Sequence, residues 1–237
     1  MAKKHFLWSV CVLLFVCAAL FSLASCSPSL SVSLSPDGTG AISWKGTLSP
    51  SSRTLVQRFT EPHTGSEGSL FKPEAIRISL ALAGITAESV SAPDSASLAV
   101  KASIKDVNAL PAGCLRFDGK KNAVTLTLSR EVLAASLGLM PPETAEYIEL
   151  LMAPAFTGEA LSPAEYRDLI AAAYGKTIAS ELASSAFTLV LSCPGQLTRV
   201  ESTAPATVKF SDKTANITIP LADLLTLEKP VIINAAW

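Results

Sequence analysis

The sequence predicts an α+β domain, in which an antiparallel sheet of hairpins packs helices on one face and a helical insertion interrupts the strands. Two observations predict this fold class. Three pairs of segments alternate apolar and polar residues around turn residues, as β-hairpins do. Residues 130–184 instead carry apolar side chains at helical spacing.

The first hairpin is predicted at residues 30–34 and 42–44. Leu30, Val32 and Leu34 alternate with serines, and residues 36–40 are rich in turn formers. We therefore expect two short antiparallel strands here, with one face buried.

Two helices are predicted after this hairpin. The first begins at the Ser-Pro-Ser-Ser run of residues 49–52 and is followed by a loop at residues 61–70. The second begins at Pro73, since proline suits the first helical position, and ends at Gly84.

The second hairpin follows an alternating strand at residues 98–104. Its own strands are predicted at residues 115–117 and 124–128, and the Asp-Gly-Lys-Lys run of residues 118–121 supplies the turn.

Helical spacing then takes over. A helix is predicted around Val132, another begins at the Pro-Pro pair of residues 141–142, and a third begins at the capping box of residues 162–165. A short last helix is predicted at residues 178–182.

The C-terminal segment is predicted to return to strands. Residues 187–191 alternate, residues 208–219 form the third hairpin, and residues 231–233 form a final strand. Residues 220–225 are predicted to be a short connection.

The N-terminus has the three parts of a secretory signal. Lys3 and Lys4 are basic, residues 6–23 are almost wholly apolar, and two small residues precede Cys26. The alternative is a transmembrane helix, because the apolar stretch is about the ~18 residues that cross a bilayer. The small-residue site, and the absence of a stop-transfer charge just after Cys26, favour the signal.

The run Leu23-Ala24-Ser25-Cys26 resembles the lipobox of bacterial lipoproteins. The resemblance implies cleavage before Cys26, a thioether diacylglycerol on its sulfur, and acylation of the new amine. Residues 1–25 would then be a lipoprotein signal peptide. Two or more acyl chains hold a protein firmly on a membrane, so it implies an exported protein that is lipid-anchored in the cell envelope.

Without residues 1–25, the chain keeps 212 residues with 17 basic and 20 acidic side chains, a net charge of −3. This length predicts one domain at residues 26–237, with a helical subdomain at about residues 130–184. The charge balance gives no reason to expect a nucleic-acid partner, which requires a basic face.

Two cysteines remain beyond Cys26. In an oxidising compartment Cys114 and Cys193 could form one disulfide, and the alternative is two separate buried thiols. With no CxxC and no histidine near either cysteine, the sequence predicts no metal site and no cofactor.

Candidates for catalysis are weak. His63 lies in a polar loop without a nucleophile elbow, and a solvated loop histidine explains it. Glu143, Glu146 and Glu149 recur every three residues, which fits the solvated face of a helix. The sequence predicts a protein that is not an enzyme.

One apolar cluster could line a groove for an acyl chain or a partner helix, although ordinary core packing explains it as well. The cluster consists of Leu139, Met140, Leu150, Leu151, Met152, Phe156 and Leu161.

Residues 153–159, 165–167 and 174–176 together resemble a segment of uncharacterised spirochaete lipoproteins. This resemblance implies an address, in the envelope, without an activity. We expect a membrane-anchored protein with a non-enzymatic binding role; the alternative is a carrier or sensor of a hydrophobic ligand such as a lipid, with the helical insertion as its lid.

Overall fold

A computed structural model describes residues 26–51, 53, 71–110, 113–137, 149, 152, 154, 157 and 161–237. It confirms the predicted α+β class. The strands are β1 Cys26–Leu34, β2 Gly40–Thr47, β3 Ile85–Asp94, β4 Ser97–Ile104, β5 Leu115–Asp118, β6 Ala123–Leu128, β7 Ala186–Ser192, β8 Arg199–Ser202, β9 Thr207–Ser211, β10 Thr214–Pro220 and β11 Val231–Ala236. The helices are α1 Pro73–Leu82, α2 Arg130–Leu137, α3 Pro163–Tyr174, α4 Lys176–Ser184 and α5 Leu221–Thr226, with a short 3-10 helix at Val107–Ala109.

The strands form two sheets. The larger has seven strands in the order β3-β4-β2-β1-β7-β10-β9, and the smaller has four in the order β5-β6-β11-β8. The three predicted hairpins are present as β1–β2, β5–β6 and β9–β10, each antiparallel.

Strand β1 has a different kind of neighbour on each side. It pairs antiparallel with β2 and parallel with β7, with Leu30 opposite both Trp44 and Leu189. The larger sheet is therefore mixed, whereas the sequence predicted an antiparallel sheet. The physical reason is that β7 comes from far along the chain, after the helices, so no tight turn constrains its direction relative to β1.

Four elements were not predicted from the sequence: β3, β8, α5 and the 3-10 helix at Val107–Ala109. β3 is an edge strand in which only Ile85 and Val90 are buried, and β8 is an edge strand of four residues. α5 occupies the segment that was predicted to be a connection, and it is a six-residue helix of mostly buried residues without a side-chain cap.

The helical segment before β7 follows its local signals where it is described. The side chain of Ser162 accepts a hydrogen bond from the backbone N–H of Glu165, and the Glu165 side chain accepts from the Ser162 backbone N–H. This capping box, with Pro163 at the first helical position, starts α3 where the sequence placed it. The predicted helices starting near residues 49–52 and at residues 141–142 lie mainly outside the described residues.

Both sheets contribute to a hydrophobic core. The inward-facing residues of the large sheet include Trp44, Phe187 and Leu189, all fully buried, and those of the small sheet include Leu126 and Ile233. The alternation that predicted the strands is therefore the alternation that fills the core.

Candidate functional site

The predicted lipidation residue is the first residue of a central strand. β1 begins at Cys26, which pairs with Thr47 of β2, and after a bulge the regular ladder runs from Ser29 opposite Lys45. The residue predicted to carry the lipid is therefore itself at the start of the folded sheet.

Several strands of the large sheet begin or end at the same end of the sheet as Cys26. Because β2 runs antiparallel to β1 and β7 runs parallel to it, the last residue of β2 and the first of β7 lie at the same end as Cys26. We call this the Cys26 end and define it by Cys26, Thr47, Ser97 and Ala186. The hydroxyl oxygens of Thr47 and Ser97 are 3.1 Å apart, within hydrogen-bonding distance.

A polar contact ties a helix to the Cys26 end. The hydroxyl of Ser49, two residues beyond β2, donates a 2.7 Å hydrogen bond to a carboxylate oxygen of Glu181 in α4. Ser49 is 2% exposed, so the bond forms largely out of water. It holds the C-terminal part of α4 against the segment that leaves β2.

The opposite end of the large sheet carries an aromatic stack that the sequence did not predict. The rings of Phe117 in β5 and Trp237, which follows β11, stack with centroids 5.7 Å apart and planes 29° apart. We call this the far end and define it by the β1–β2 turn (residues 35–39), Asn108, Phe117, Gly195 and Trp237. Both rings are half-buried and pack against the core.

Glycines border the stacked rings. A Cβ at Gly195 would overlap the Trp237 indole, and a Cβ at Gly38 would lie 3.8 Å from Phe117 Cδ1. Gly38 also has a φ of +82°, which favours glycine. The glycines and aromatic residues are visible in the sequence, but they are scattered from the first turn to the last residue. The sequence therefore did not indicate that they lie together.

Hydrogen bonds join the two sheets at the far end. The Val107 backbone N–H donates to the Gly38 carbonyl at 3.0 Å. The Asn108 side chain accepts from the Phe117 N–H at 2.8 Å and donates to the Phe117 carbonyl at 3.1 Å. The turn of the large sheet and the edge strand of the small sheet are thus fixed to one short helix.

The predicted apolar groove is described at two positions. Met152 is 2% exposed and belongs to the core cluster, while Leu161 is half-buried. The packing of Met152 agrees with the core alternative at that position. The remaining groove candidates, Leu139, Met140, Leu150, Leu151 and Phe156, lie outside the described residues.

The possible disulfide between Cys114 and Cys193 is not formed, because Cys193 is a free thiol and Cys114 is disulfide-bonded to a different cysteine. Cys193 has a free, buried thiol, and its burial raises the pKa to about 11. The two residues adjoin different sheets, since Cys193 directly follows β7 of the large sheet and Cys114 directly precedes β5 of the small sheet. A thiol with so high a pKa stays protonated at neutral pH and is a poor nucleophile.

The acidic candidates do not converge where they are described. Glu149 is exposed, whereas His63, Glu143 and Glu146 lie outside the described residues. Within the described ranges, no group of three or more histidine, cysteine, aspartate or glutamate residues could hold a metal ion.

Two other titratable side chains are affected by burial. Burial raises the pKa of Asp223 in α5; Arg167 opposes that shift, and Glu228 adds to it. Burial also raises the pKa of Tyr166, with a smaller contribution from Tyr174, so this phenol stays protonated. Both groups lie where helices pack, and neither shift points to a nucleophile or a base.

Comparisons with known proteins add no relative. No family model, no curated protein and no solved structure matches this chain. Among the described helices, none is both long and apolar enough to cross a bilayer.

Proposed function

We propose that this protein is a lipid-anchored lipoprotein of the cell envelope with a non-enzymatic role in binding or interaction. The observation that carries the proposal is the run Leu23-Ala24-Ser25-Cys26 directly after a basic and then apolar segment. Acyl chains on Cys26 would hold the domain at a membrane that residues 26–237 need not cross.

The placement of Cys26 supports this proposal. A lipid on Cys26 would precede the regular ladder of β1, which begins at Ser29. The attached lipid therefore need not disturb the buried part of the strand, which begins at Leu30.

The distribution of titratable groups supports the non-enzymatic role. Catalytic groups tend to combine a perturbed pKa with a cleft and a nearby partner group. In the described part of the chain, Cys193 and Tyr166 are buried and protonated. Asp37 lies in the β1–β2 turn and Asp118 is the last residue of β5, and backbone N–H groups of the turns donate hydrogen bonds to both carboxylates.

The test of the anchor is metabolic labelling of the full chain with a radioactive fatty acid. We expect label on the native protein and on a Cys17→Ala variant, which keeps the signal apolar, but no label on Cys26→Ser. Equal labelling of Cys26→Ser and the native protein would contradict the proposal.

The carrier alternative has its own test. Native mass spectrometry of the purified acylated protein would show a noncovalent lipid of defined mass in addition to the acyl groups if the domain carries a hydrophobic ligand. A mass equal to the acylated polypeptide alone would favour the interaction role.

A further inference from the structure

We propose that the Cys26 end of the large sheet lies directly on the membrane surface, so that the strands point away from the bilayer. The partner of this surface is the headgroup layer of a lipid bilayer. The inference rests on the proposed lipid anchor at Cys26, and it adds an orientation that the anchor alone does not imply.

The first step is the short connection between the anchor residue and the sheet. Cys26 already pairs with Thr47, and the regular ladder begins at Ser29. Three residues of extended chain span at most about 10 Å. If a lipid on Cys26 is inserted in a bilayer, the sheet must therefore lie close to that bilayer.

The second step is that β1 cannot peel away to lengthen this connection. From Ser29 to Ser33 the strand is hydrogen-bonded to β2 on one side and β7 on the other. Leu30 and Val32 are also buried in the core. Freeing β1 would break two ladders and expose these side chains, which costs a large part of the stability of a typical domain.

The third step is the chemistry of the surface at this end. Thr47 and Ser97 present hydroxyl groups, and β3 ends at the exposed carboxylate of Asp94, on which the positive charge of the exposed Arg53 acts. Such groups tolerate a hydrated headgroup layer, and the opposite charges of Asp94 and Arg53 offset each other's interaction with anionic lipids. The covalent anchor, and not charge attraction, would then set the orientation, so we expect it to persist at high salt.

The orientation places the far end well above the membrane. β1 has nine residues, and a strand rises about 3.3 Å per residue, so its two ends are about 26 Å apart. The aromatic stack of the far end would then face outward, toward partners in solution or on another surface.

The experiment places a fluorophore at either end of β4. Ser95→Cys labels the turn before β4 at the Cys26 end, and Lys105→Cys labels the exposed residue just after β4. Each acylated, labelled protein is reconstituted into phosphatidylcholine vesicles that contain a lipid with a nitroxide on its headgroup. The protein without an introduced cysteine, treated in parallel, measures labelling of the native cysteines.

We expect quenching at position 95 to be several-fold stronger than at position 105, and to be unchanged by added salt. Equal quenching at the two positions, or stronger quenching at position 105, would overturn the orientation.

The two proposals fail in distinguishable ways. A mass spectrum without acyl groups on the native chain refutes the lipid anchor itself. An acylated, vesicle-bound protein with the wrong quenching pattern leaves the anchor in place and refutes the orientation alone.

Discussion

The two ends of the large sheet are built differently. At the Cys26 end, the hydroxyl groups of Thr47 and Ser97 lie within hydrogen-bonding distance of each other, and Ser49 donates a hydrogen bond to Glu181. The far end joins both sheets through stacked rings, and the side chain of Asn108 is bonded twice to the backbone of Phe117. The comparison teaches that these contacts between the two sheets lie at the end away from Cys26. We therefore expect substitutions at the far end to lower the free energy of unfolding more than substitutions at the Cys26 end.

The largest effect is expected at Trp237. Trp237→Ala should lower the free energy of unfolding by about 2–3 kcal/mol, below the ~3–5 kcal/mol typical of a fully buried aromatic because this ring is half-buried. Chemical denaturation monitored by circular dichroism would measure it. Trp237→Phe keeps a ring against Phe117 and should cost much less. Equal losses in both variants would show that the stack itself contributes little.

The next effect is a steric one at Gly195. A methyl group there would overlap the Trp237 ring, so Gly195→Ala should cost about 1–3 kcal/mol. A double-mutant cycle tests the cause, because the cost should largely vanish when Trp237 is already alanine. If both changes remain additive, backbone strain at residue 195 explains the loss, and the proposed contact does not.

A smaller effect is expected at the Cys26 end. Ser49→Ala removes the donor to Glu181 from a buried position, and we expect a loss of about 1 kcal/mol in denaturant unfolding. Glu181→Gln keeps an acceptor for the hydroxyl and should cost less. A loss for Ser49→Ala as large as that for Trp237→Ala would break the comparison between the ends.

The smallest effect concerns two aspartates, one at each end, whose carboxylates accept hydrogen bonds from turn residues. At the far end, the Thr39 backbone N–H and then its hydroxyl lower the pKa of Asp37. At the Cys26 end, the Ala96 backbone N–H and then the Ser97 side chain lower the pKa of Asp94. A lowered pKa adds stability above the ordinary aspartate range, and this stability is lost as pH falls through the folded-state pKa.

Carboxyl titration by NMR would measure both values. We expect both to lie below the ordinary aspartate value, and Thr39→Val to raise the pKa of Asp37 alone. If only one of the two pKa values is lowered, the two ends differ in electrostatics as well as in structure. A change at Asp94 in Thr39→Val would instead show that the variant perturbs the whole sheet.

Local patterns in the sequence predicted much of this fold. Alternation placed β1 and β2, and the capping box placed the start of α3, because each signal lies within a few neighbouring residues. Strand β3 was not predicted because an edge strand buries few of its side chains and so shows little alternation in the sequence. The parallel pairing of β1 with β7 could not be predicted, since nothing local specifies which distant strand will be the neighbour.

The candidate site divides in the same way. Cys26 could be predicted because a lipobox is a continuous run of residues. The far end could not, because its stack joins Phe117 in β5 to Trp237, which follows β11 and is distant from Phe117 in sequence. The groove candidates rested on a helical pattern that a core also produces, and Met152 lies in the core.

The position of β1 between an early and a late partner sets an order for folding. The β1–β2 hairpin is local, and isolated hairpins form within about 1–10 μs. The other edge of β1 must wait for β7, which is synthesised only after the helical segment. Non-local pairings of this kind slow folding because a long loop must close first. We therefore expect a chain truncated before β7 to leave one edge of β1 unpaired, which is an aggregation-prone state.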